Sequence, residues 1–182
     1  MQNPKPIGPH NHPGAVCIPY DPLAPEAARE VIRLIVARDS SLTVEHVGST
    51  AVPGCDGKGV LDLLVMYEPG ALERAKAALA DLGFQKQTGR DPWPEERPMR
   101  VGSRTFDGRQ FPIHAHVIAC DSPEAAELIW FRDRLRSDPD LRKAYVARKR
   151  EILRAGVADS IEYSNVKGSF VQDALLDMKK SG

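Results

Sequence analysis

The fold is decided by the stretch from Val44 to Met66, which reads VEHVGSTAVPGCDGKGVLDLLVM. Its pattern predicts a short strand, a Gly-Ser turn with a single helical turn, a glycine-broken loop and then a buried strand. Gly48 allows the backbone to turn sharply, and the first N–H groups of a helical turn have no partner inside it. This order of elements is typical of a segment that binds phosphate, although a tight structural turn would show the same bare pattern.

Three side chains in this stretch favour the phosphate interpretation. Ser49 can cap the turn or offer its hydroxyl to a ligand. Lys58 adds a mobile positive charge in the loop. Asp62 lies in an otherwise apolar strand, where a carboxylate needs a cation, hydrogen bonds or a metal to offset its desolvation.

The composition is that of an ordinary globular domain. The chain has 182 residues, of which 42% are hydrophobic and 27% are charged, and its 25 basic and 25 acidic residues cancel. One domain is therefore expected, and no net field attracts the chain to nucleic acid or to a membrane. Aromatic residues make up only 6%, which is little material for stacking nucleic-acid bases.

The cysteines and the apolar segments indicate the compartment. Cys17, Cys55 and Cys120 are far apart and show no CxxC spacing, which argues against structural zinc and against a disulfide framework. No apolar run is long enough to span a membrane, and the N-terminus lacks the apolar core of a signal peptide. We therefore expect a cytoplasmic protein in a reducing compartment.

Apolar periodicity predicts a mixture of helices and strands. Helices are expected at about 25–37, 69–82, 122–137 and 138–155, and a last one from a capping box at Asp159 and Glu162. Strands are expected near 43–47, 60–66 and 84–87, and in a hairpin of 100–106 with 109–119 around Asp107-Gly108. The prediction is an α+β fold, a small mixed β-sheet with helices packed on one face and a helical C-terminal part. We expect residues 1–15 to form a flexible arm and residues 16–182 a single domain.

Three polar residues are expected to converge on one face of this sheet. In the second hairpin arm Phe111, Ile113, Ala115 and Val117 alternate with His114 and His116, so the two histidines face away from the core. If the two strands are neighbours, Asp62 joins them, and one carboxylate with two imidazoles can hold a divalent transition metal. The alternative is that both histidines are ordinary core or hinge residues bonded to backbone carbonyls and to Asp62.

Most basic residues of the C-terminal helices are expected to lie on solvated faces. Arg132 and Lys149 could instead face the pocket and hold phosphate oxygens, and the segment from Arg97 to Arg100 is a second candidate clamp. Tyr163 and Lys167, one helical turn apart, either line the same cleft or simply pack. His10 and His12, on the predicted arm, are expected to be inert.

The motifs closely resemble the signature of the GrpB-like proteins. The resemblance is carried by Glu45–Gly54, Lys58, Val60–Asp62, Asp91-Pro92, Arg97–Arg100, His114–Val117, Phe131–Arg136, Tyr145, Lys149, Tyr163 and Lys167. It covers nearly the whole chain beyond residue 15.

The resemblance implies a nucleotidyltransferase-like fold. In that superfamily a Gly-Ser pair grips the nucleotide phosphates, and two aspartates two residues apart on the next strand hold Mg²⁺. By position Gly48 and Ser49 match the pair and Asp62 matches the first acid. Leu64 takes the place of the second acid and cannot ligate a metal.

Three functions remain open. In the first, the chain is a metal-dependent nucleotidyltransferase or a nucleotide-binding protein that acts on a small nucleotide or other phosphorylated ligand and not on nucleic acid or membrane. The residues expected to bind a nucleoside triphosphate are Gly48, Ser49, Thr50, Lys58, Arg100, Arg132 and Lys149. The residues expected to be catalytic and to bind a divalent metal are Asp62, His114 and His116. The expected metal is Mg²⁺ or Mn²⁺, with Zn²⁺ as an alternative. In the second, it is a non-catalytic module that binds a phosphate, nucleotide or coenzyme A-like ligand. In the third, it is a transition-metal-dependent hydrolase that uses Asp62, His114 and His116, with His46 as a further ligand.

Overall fold

The structure, a computed structural model, describes residues 4–89, 91–157 and 160–180. The helices lie at Ala24–Arg38 (α1), Leu72–Leu82 (α2), Pro123–Ser137 (α3), Pro139–Arg154 (α4) and Ser160–Lys180 (α5). The strands lie at Thr43–Val47 (β1), Leu61–Tyr67 (β2), Gln85–Lys86 (β3), Met99–Phe106 (β4) and Arg109–Ala119 (β5). The predicted cap at Asp159 and the side chain of Lys167 fall outside the described part.

The strands form one mixed sheet in the order β1-β2-β5-β4-β3. β2 and β5 are parallel neighbours, and the other neighbouring pairs are antiparallel. The hairpin between β4 and β5 turns at Asp107 and Gly108, whose φ angles of 47° and 73° are both positive, as a tight turn of the primed type requires. The predicted α+β fold with a small mixed sheet is confirmed.

One face of the sheet carries the main core. On β2 the odd-numbered residues, such as Leu61, Leu63 and Val65, pack against α1 and α2 together with the odd-numbered residues of β5. The predicted core positions of β5 are all buried there, namely Phe111, Ile113, Ala115 and Val117. This is the helix-covered face that the alternation predicts.

The helical C-terminal part covers part of the other face. Leu64 and Met66 of β2 and Ile118 of β5 pack against α3 through Ala125. This packing lies toward the ends of the two parallel strands. The starts of the same strands carry polar residues on this face, and a cleft opens above them.

The N-terminal segment contacts the sheet and the main core around residues 6–8. Ile7 is buried in the main core, and its N–H donates to the carbonyl of Leu82 at 3.0 Å. Gly8 pairs with Ser103 of β4 as an isolated antiparallel bridge. The expectation of a loose arm missed these contacts, because a stretch without periodicity gives no sign of a long-range partner.

The helices of the described residues give no candidate for a membrane span, since none combines sufficient length with sufficient apolarity.

Candidate functional site

A cleft of about 1310 Å³ lies on the second face of the sheet, bounded by the Gly-Ser turn, the segment before β4 and helices α3 to α5. Its volume exceeds what a single phosphate needs and accommodates a ligand of nucleotide size. Nine of the ten predicted site residues line it: Gly48, Ser49, Thr50, Lys58, Asp62, His114, His116, Arg132 and Lys149.

The Gly-Ser turn abuts the carboxylate of Asp62. Gly48 has φ 71° and ψ −171°, a conformation that is essentially restricted to glycine. A Cβ atom at Gly48 would lie 2.9 Å from the Cβ and 3.0 Å from the Cγ of Asp62, and closer still to Oδ2. The backbone of the turn and the acid of β2 therefore face each other without an intervening side chain.

A buried lysine reaches the serine of this turn. Lys149 of α4 is only 1% exposed, and its Nζ donates to Ser49 Oγ at 2.9 Å and to the carbonyl of Asp56. The same Nζ lies 4.4 Å from the ring centroid of Tyr145. Because Ser49 Oγ accepts from the lysine, its own proton can be donated to a ligand in the cleft. Ser49 and Lys149 thus form one polar unit at the base of the turn.

Thr50 is held by structural hydrogen bonds. Its Oγ1 donates to the carbonyl of Val60 at 2.8 Å and accepts from His46 Nε2 at 2.9 Å. The hydroxyl is therefore not directed at a ligand, and the backbone N–H is the group through which Thr50 could bind one.

His46 does not join the cleft. It pairs with Leu63 across β1 and β2, whereas Val47 pairs with Asp62, so His46 lies on the opposite face from Asp62. Burial lowers the pKa of His46 to about 4. The idea that His46 is a metal ligand beside Asp62 is wrong.

Asp62, His114 and His116 converge as the alternation predicts. Asp62 pairs with His114 and Leu64 with His116 along the parallel strands. Asp62 Oδ1 lies 3.7 Å from His114 Nδ1 and 3.6 Å from His116 Nε2, too far for hydrogen bonds. Burial lowers the pKa of His114 to about 4, although the nearby Asp62 charge acts in the opposite direction. His114 is therefore a neutral imidazole near pH 7.

The fit of a metal to these residues is limited. Leu64, in the place of the second acid, is fully buried in the core. In the part of the chain that the structure describes, no group of three or more His, Cys, Asp or Glu side chains is arranged to hold a metal ion. Mg²⁺ can nevertheless be bound by a single carboxylate when substrate phosphates supply further oxygens. Asp62 suits that role, and the ligand role of the two histidines stays a prediction.

Arg132 lines the cleft but is engaged in structural contacts. Its guanidinium donates to Glu45 Oε2 at 2.6 Å, to the His46 carbonyl at 3.0 Å and to Asp133 Oδ1 at 2.8 Å. These bonds join α3 to β1, next to the Gly-Ser turn. The arrangement makes Arg132 a residue that positions the turn.

Arg100 is not at the cleft, so its predicted role in phosphate binding is wrong. It pairs with Ala115, a residue of the main core face, and its guanidinium donates to Glu95 at 2.9 and 3.1 Å. Its neighbours Met99 and Val101 line the cleft instead. A shift of one residue along a strand changes the face.

The cleft residues Trp93 and His10 were not predicted from the sequence, whereas Arg97 belongs to the candidate clamp of Arg97–Arg100 and does line the cleft. Arg97 and Trp93 line the cleft, and the Arg97 guanidinium binds both carboxylate oxygens of Glu124 and lies 4.3 Å from the Trp93 ring centroid. His10 of the N-terminal segment stacks on His114, with Nε2 atoms 3.2 Å apart, although the sequence suggested an inert arm. No local signal in the sequence predicts that Trp93 or His10 lies at the cleft.

Tyr163 and Lys58 lie at the α5 side of the cleft. Tyr163 is buried, and Lys58 Nζ lies 4.7 Å from its ring centroid. Burial raises the pKa of the Tyr163 hydroxyl above its usual range. Of the two alternatives for Tyr163, the structure shows that the residue lines the cleft while its side chain is buried.

Comparison with known sequences gives a family match over most of the chain. A family model described as GrpB protein matches residues 16–176. The UPF0157 protein BH1888 of Halalkalibacterium halodurans is 31% identical over 172 residues, covering 93% of this chain and 84% of that protein. The UPF0157 protein PA4798 of Pseudomonas aeruginosa is 34% identical over 158 residues, covering 85% and 63%. A dephospho-CoA kinase of Mycolicibacterium paratuberculosis is 27% identical over 181 residues, and the match covers 86% of this chain and 44% of the kinase.

Solved structures share the fold. The crystal structure of conserved protein GrpB from Enterococcus faecalis superposes with a TM-score of 0.61 at 18% identity, covering 88% of this chain and 99% of that one. A chain of the GLD-2/RNP-8 complex gives a TM-score of 0.56 at 15% identity, covering 85% of this chain and 50% of that one. The nucleotidyltransferase-like architecture predicted from the motifs is confirmed at the level of the fold.

Proposed function

Because this chain belongs to the GrpB protein family and has a nucleotidyltransferase-like fold, we propose that its cleft binds a nucleotide through the phosphate groups. The observation that carries the proposal is the unit of Ser49 and Lys149, a buried ammonium side chain directed at a hydroxyl beside the Gly-Ser turn. Fold alone would not justify it, since one fold hosts many functions.

The charges of the cleft support an anionic ligand. Lys149 and Lys58 place two positive side chains at its lining, and the turn after Gly48 begins with N–H groups that lack partners within the turn. Hydrogen bonds from charged donors to phosphate are among the strongest that proteins make. Phosphate oxygens at Ser49 would also bring negative charge close to Asp62.

Proximity to Asp62 favours a nucleotide that arrives with a divalent cation. A cation bound between the carboxylate and the phosphates would supply charge neutralisation and, for a transfer reaction, stabilisation of the developing charge. Asp62 would hold it from β2. His114 and His116 flank Asp62 and complete the predicted group.

Binding is tested by calorimetric titration of ATP, UTP and dephospho-CoA, each with and without Mg²⁺ or Mn²⁺. Dephospho-CoA is included because one relative carries the name of an enzyme that acts on it. We expect saturable binding of at least one of these ligands. No binding at millimolar ligand would contradict the proposal.

Two substitutions locate the bound phosphate. Ser49→Ala and Lys149→Met each remove a donor, and loss of a hydrogen bond to a charged group should weaken binding roughly 10- to 100-fold. Lys143→Met is the matched control, because Lys143 lies on the same helix, is largely exposed and pairs with Asp140. Equal affinities in all three variants would place the ligand elsewhere.

Nucleotidyl transfer is a second candidate, favoured by the position of Asp62 opposite the Gly-Ser turn. In that reaction an acceptor oxygen attacks the α-phosphorus, the bond to the bridging oxygen breaks and pyrophosphate leaves. Neutral His114 could accept the proton of the acceptor. Release of pyrophosphate from ATP that depends on Asp62 and on an added acceptor would establish transfer. Binding without such release would identify a non-catalytic module.

A further inference from the structure

The segment before β4 carries an exposed aromatic side chain at the cleft. Trp93 is 41% exposed and is one of three exposed large hydrophobic residues among those the structure describes. The other two, Ile18 and Leu176, do not line the cleft. An exposed aromatic side chain at the wall of a cleft of this size is a suitable contact for a ligand, because ligand pockets are lined mainly by apolar and aromatic side chains with a few polar groups.

Trp93 is held in a defined position. The backbone N–H of Trp93 donates to Gln87 Oε1 at 3.0 Å. The backbone N–H of Arg97 donates to the Pro94 carbonyl at 3.1 Å, which closes a turn directly after Trp93. Proline residues at 92, 94 and 98 restrict the backbone further. A side chain presented in this way loses little conformational entropy when a ligand contacts it.

The indole is also fixed by its neighbours. The guanidinium of Arg97 lies over the ring at 4.3 Å from its centroid and is itself anchored to Glu124 of α3. The ring of His116 meets the indole edge-on, with centroids 5.9 Å apart and an angle of 84°. Trp93 is thereby tied to β5, next to the residues that flank Asp62.

We infer that Trp93 is a stacking surface for the nucleobase of the bound nucleotide. The inference rests on the proposed function and deepens it, because it assigns one wall of the cleft to the base, apart from the residues assigned to the phosphates. A base has an open π-face whatever its identity, so stacking would accept several bases. Arg97 supports the indole from one side and is a positioning residue.

The test compares ATP with a chain of three phosphates that lacks the nucleoside. The affinities of ATP and of inorganic tripolyphosphate, each with Mg²⁺, are measured for the wild type, Trp93→Ala and Trp93→Phe. Loss of a stacking aromatic should weaken ATP binding about 5- to 100-fold in Trp93→Ala. Tripolyphosphate binding should not change, and Trp93→Phe should retain most of the ATP affinity.

Tryptophan fluorescence gives a second readout. The chain has two tryptophans, and Trp130 packs beside the Phe131 and Tyr145 cluster. Trp130→Phe therefore leaves Trp93 as the reporter and serves as the matched control, with unchanged ATP affinity. ATP should quench this emission and tripolyphosphate should not.

The outcomes separate the two proposals. The stacking inference is overturned, while phosphate binding stands, if ATP and tripolyphosphate bind equally, Trp93→Ala leaves both affinities unchanged and ATP does not change the Trp93 emission of Trp130→Phe. If neither ligand binds, the proposed function fails and the inference fails with it. If Trp93→Ala weakens both ligands equally, Trp93 maintains the cleft and is not a base contact, which also overturns the inference.

Discussion

Replacing Gly48 with alanine is expected to destabilise the protein by about 2–6 kcal/mol, the sum of two costs. The first is backbone strain. With φ 71° and ψ −171°, Gly48 occupies a region that costs a residue with a Cβ atom about 1–3 kcal/mol.

The second cost is steric. The new methyl group would lie 2.9 Å from Asp62 Cβ and 3.0 Å from its Cγ. Asp62 is fixed in the middle of the sheet by pairing with Val47 on one side and His114 on the other, so the strand cannot move away cheaply. Overpacking of this kind costs about 1–3 kcal/mol.

The assay is urea unfolding followed by circular dichroism, with Gly54→Ala as the control. Gly54 also has a positive φ, 74°, but a Cβ atom there would meet nothing within 4 Å. Gly54→Ala should therefore cost only the backbone strain, about 1–2 kcal/mol. The variant Asp62→Ala, combined with Gly48→Ala, removes the contacts with Cγ and Oδ2 but keeps the contact with Cβ, so about 1 kcal/mol of the steric cost should be recovered.

Equal destabilisation by Gly48→Ala and Gly54→Ala, with no coupling between Gly48→Ala and Asp62→Ala, would refute the reasoning. It would mean that the Gly-Ser turn and the acid of β2 are not in contact, and the basis for the phosphate site would be lost.

Three further predictions concern the rest of the molecule. Ile7→Ala should lower the free energy of unfolding by about 2–4 kcal/mol because Ile7 is buried in the core. As a control, Ile18→Ala at an exposed position should change the free energy of unfolding by about 0.5 kcal/mol or less. Equal effects of the two substitutions in thermal unfolding would show that the N-terminal segment is not packed. As the pH falls from about 6.5 to about 4, the unfolded chain takes up protons at His46 and His114 that the folded chain does not, since burial lowers both pKa values to about 4. Stability should therefore fall across this window by at most about 1.4 kcal/mol per pH unit for each histidine, and His46→Gln should show a shallower fall in urea titrations at several pH values. Arg100→Met should leave nucleotide affinity unchanged while reducing stability, because Arg100 binds Glu95 on the core face; a loss of affinity without a loss of stability would restore Arg100 as a ligand-binding residue.

The local sequence pattern was sufficient to predict the helices and strands, and to predict on which face of β2 and β5 each side chain lies. Alternation in β5 separates buried Ile113 and Ala115 from His114 and His116, and the same rule applied to β2 brings Asp62 to the histidines. The two-residue turn at Asp107-Gly108 fixes the register of the β4–β5 hairpin, because it pairs Phe106 with Arg109. These features depend on residues a few positions apart, which a single sequence displays directly.

The failures depend on information that is not local. Arg100 was predicted to reach the cleft together with Arg97, whereas the register of β4 pairs Arg100 with Ala115 and places it on the other face. His10 contacts a residue 104 positions away, and no periodicity announces such a contact. Lys149 was identified as one of many basic residues, but its burial against Ser49 follows from the packing of α4 on the Gly-Ser turn.

The most direct measurement is a crystal structure of the protein soaked with ATP and Mn²⁺. Phosphate oxygens are expected within hydrogen-bonding distance of Ser49 and Lys149, with Mn²⁺ between them and Asp62. Nucleotide density outside the cleft, or phosphates held by other residues while the Ser49–Lys149 contact stays closed, would contradict the proposed site.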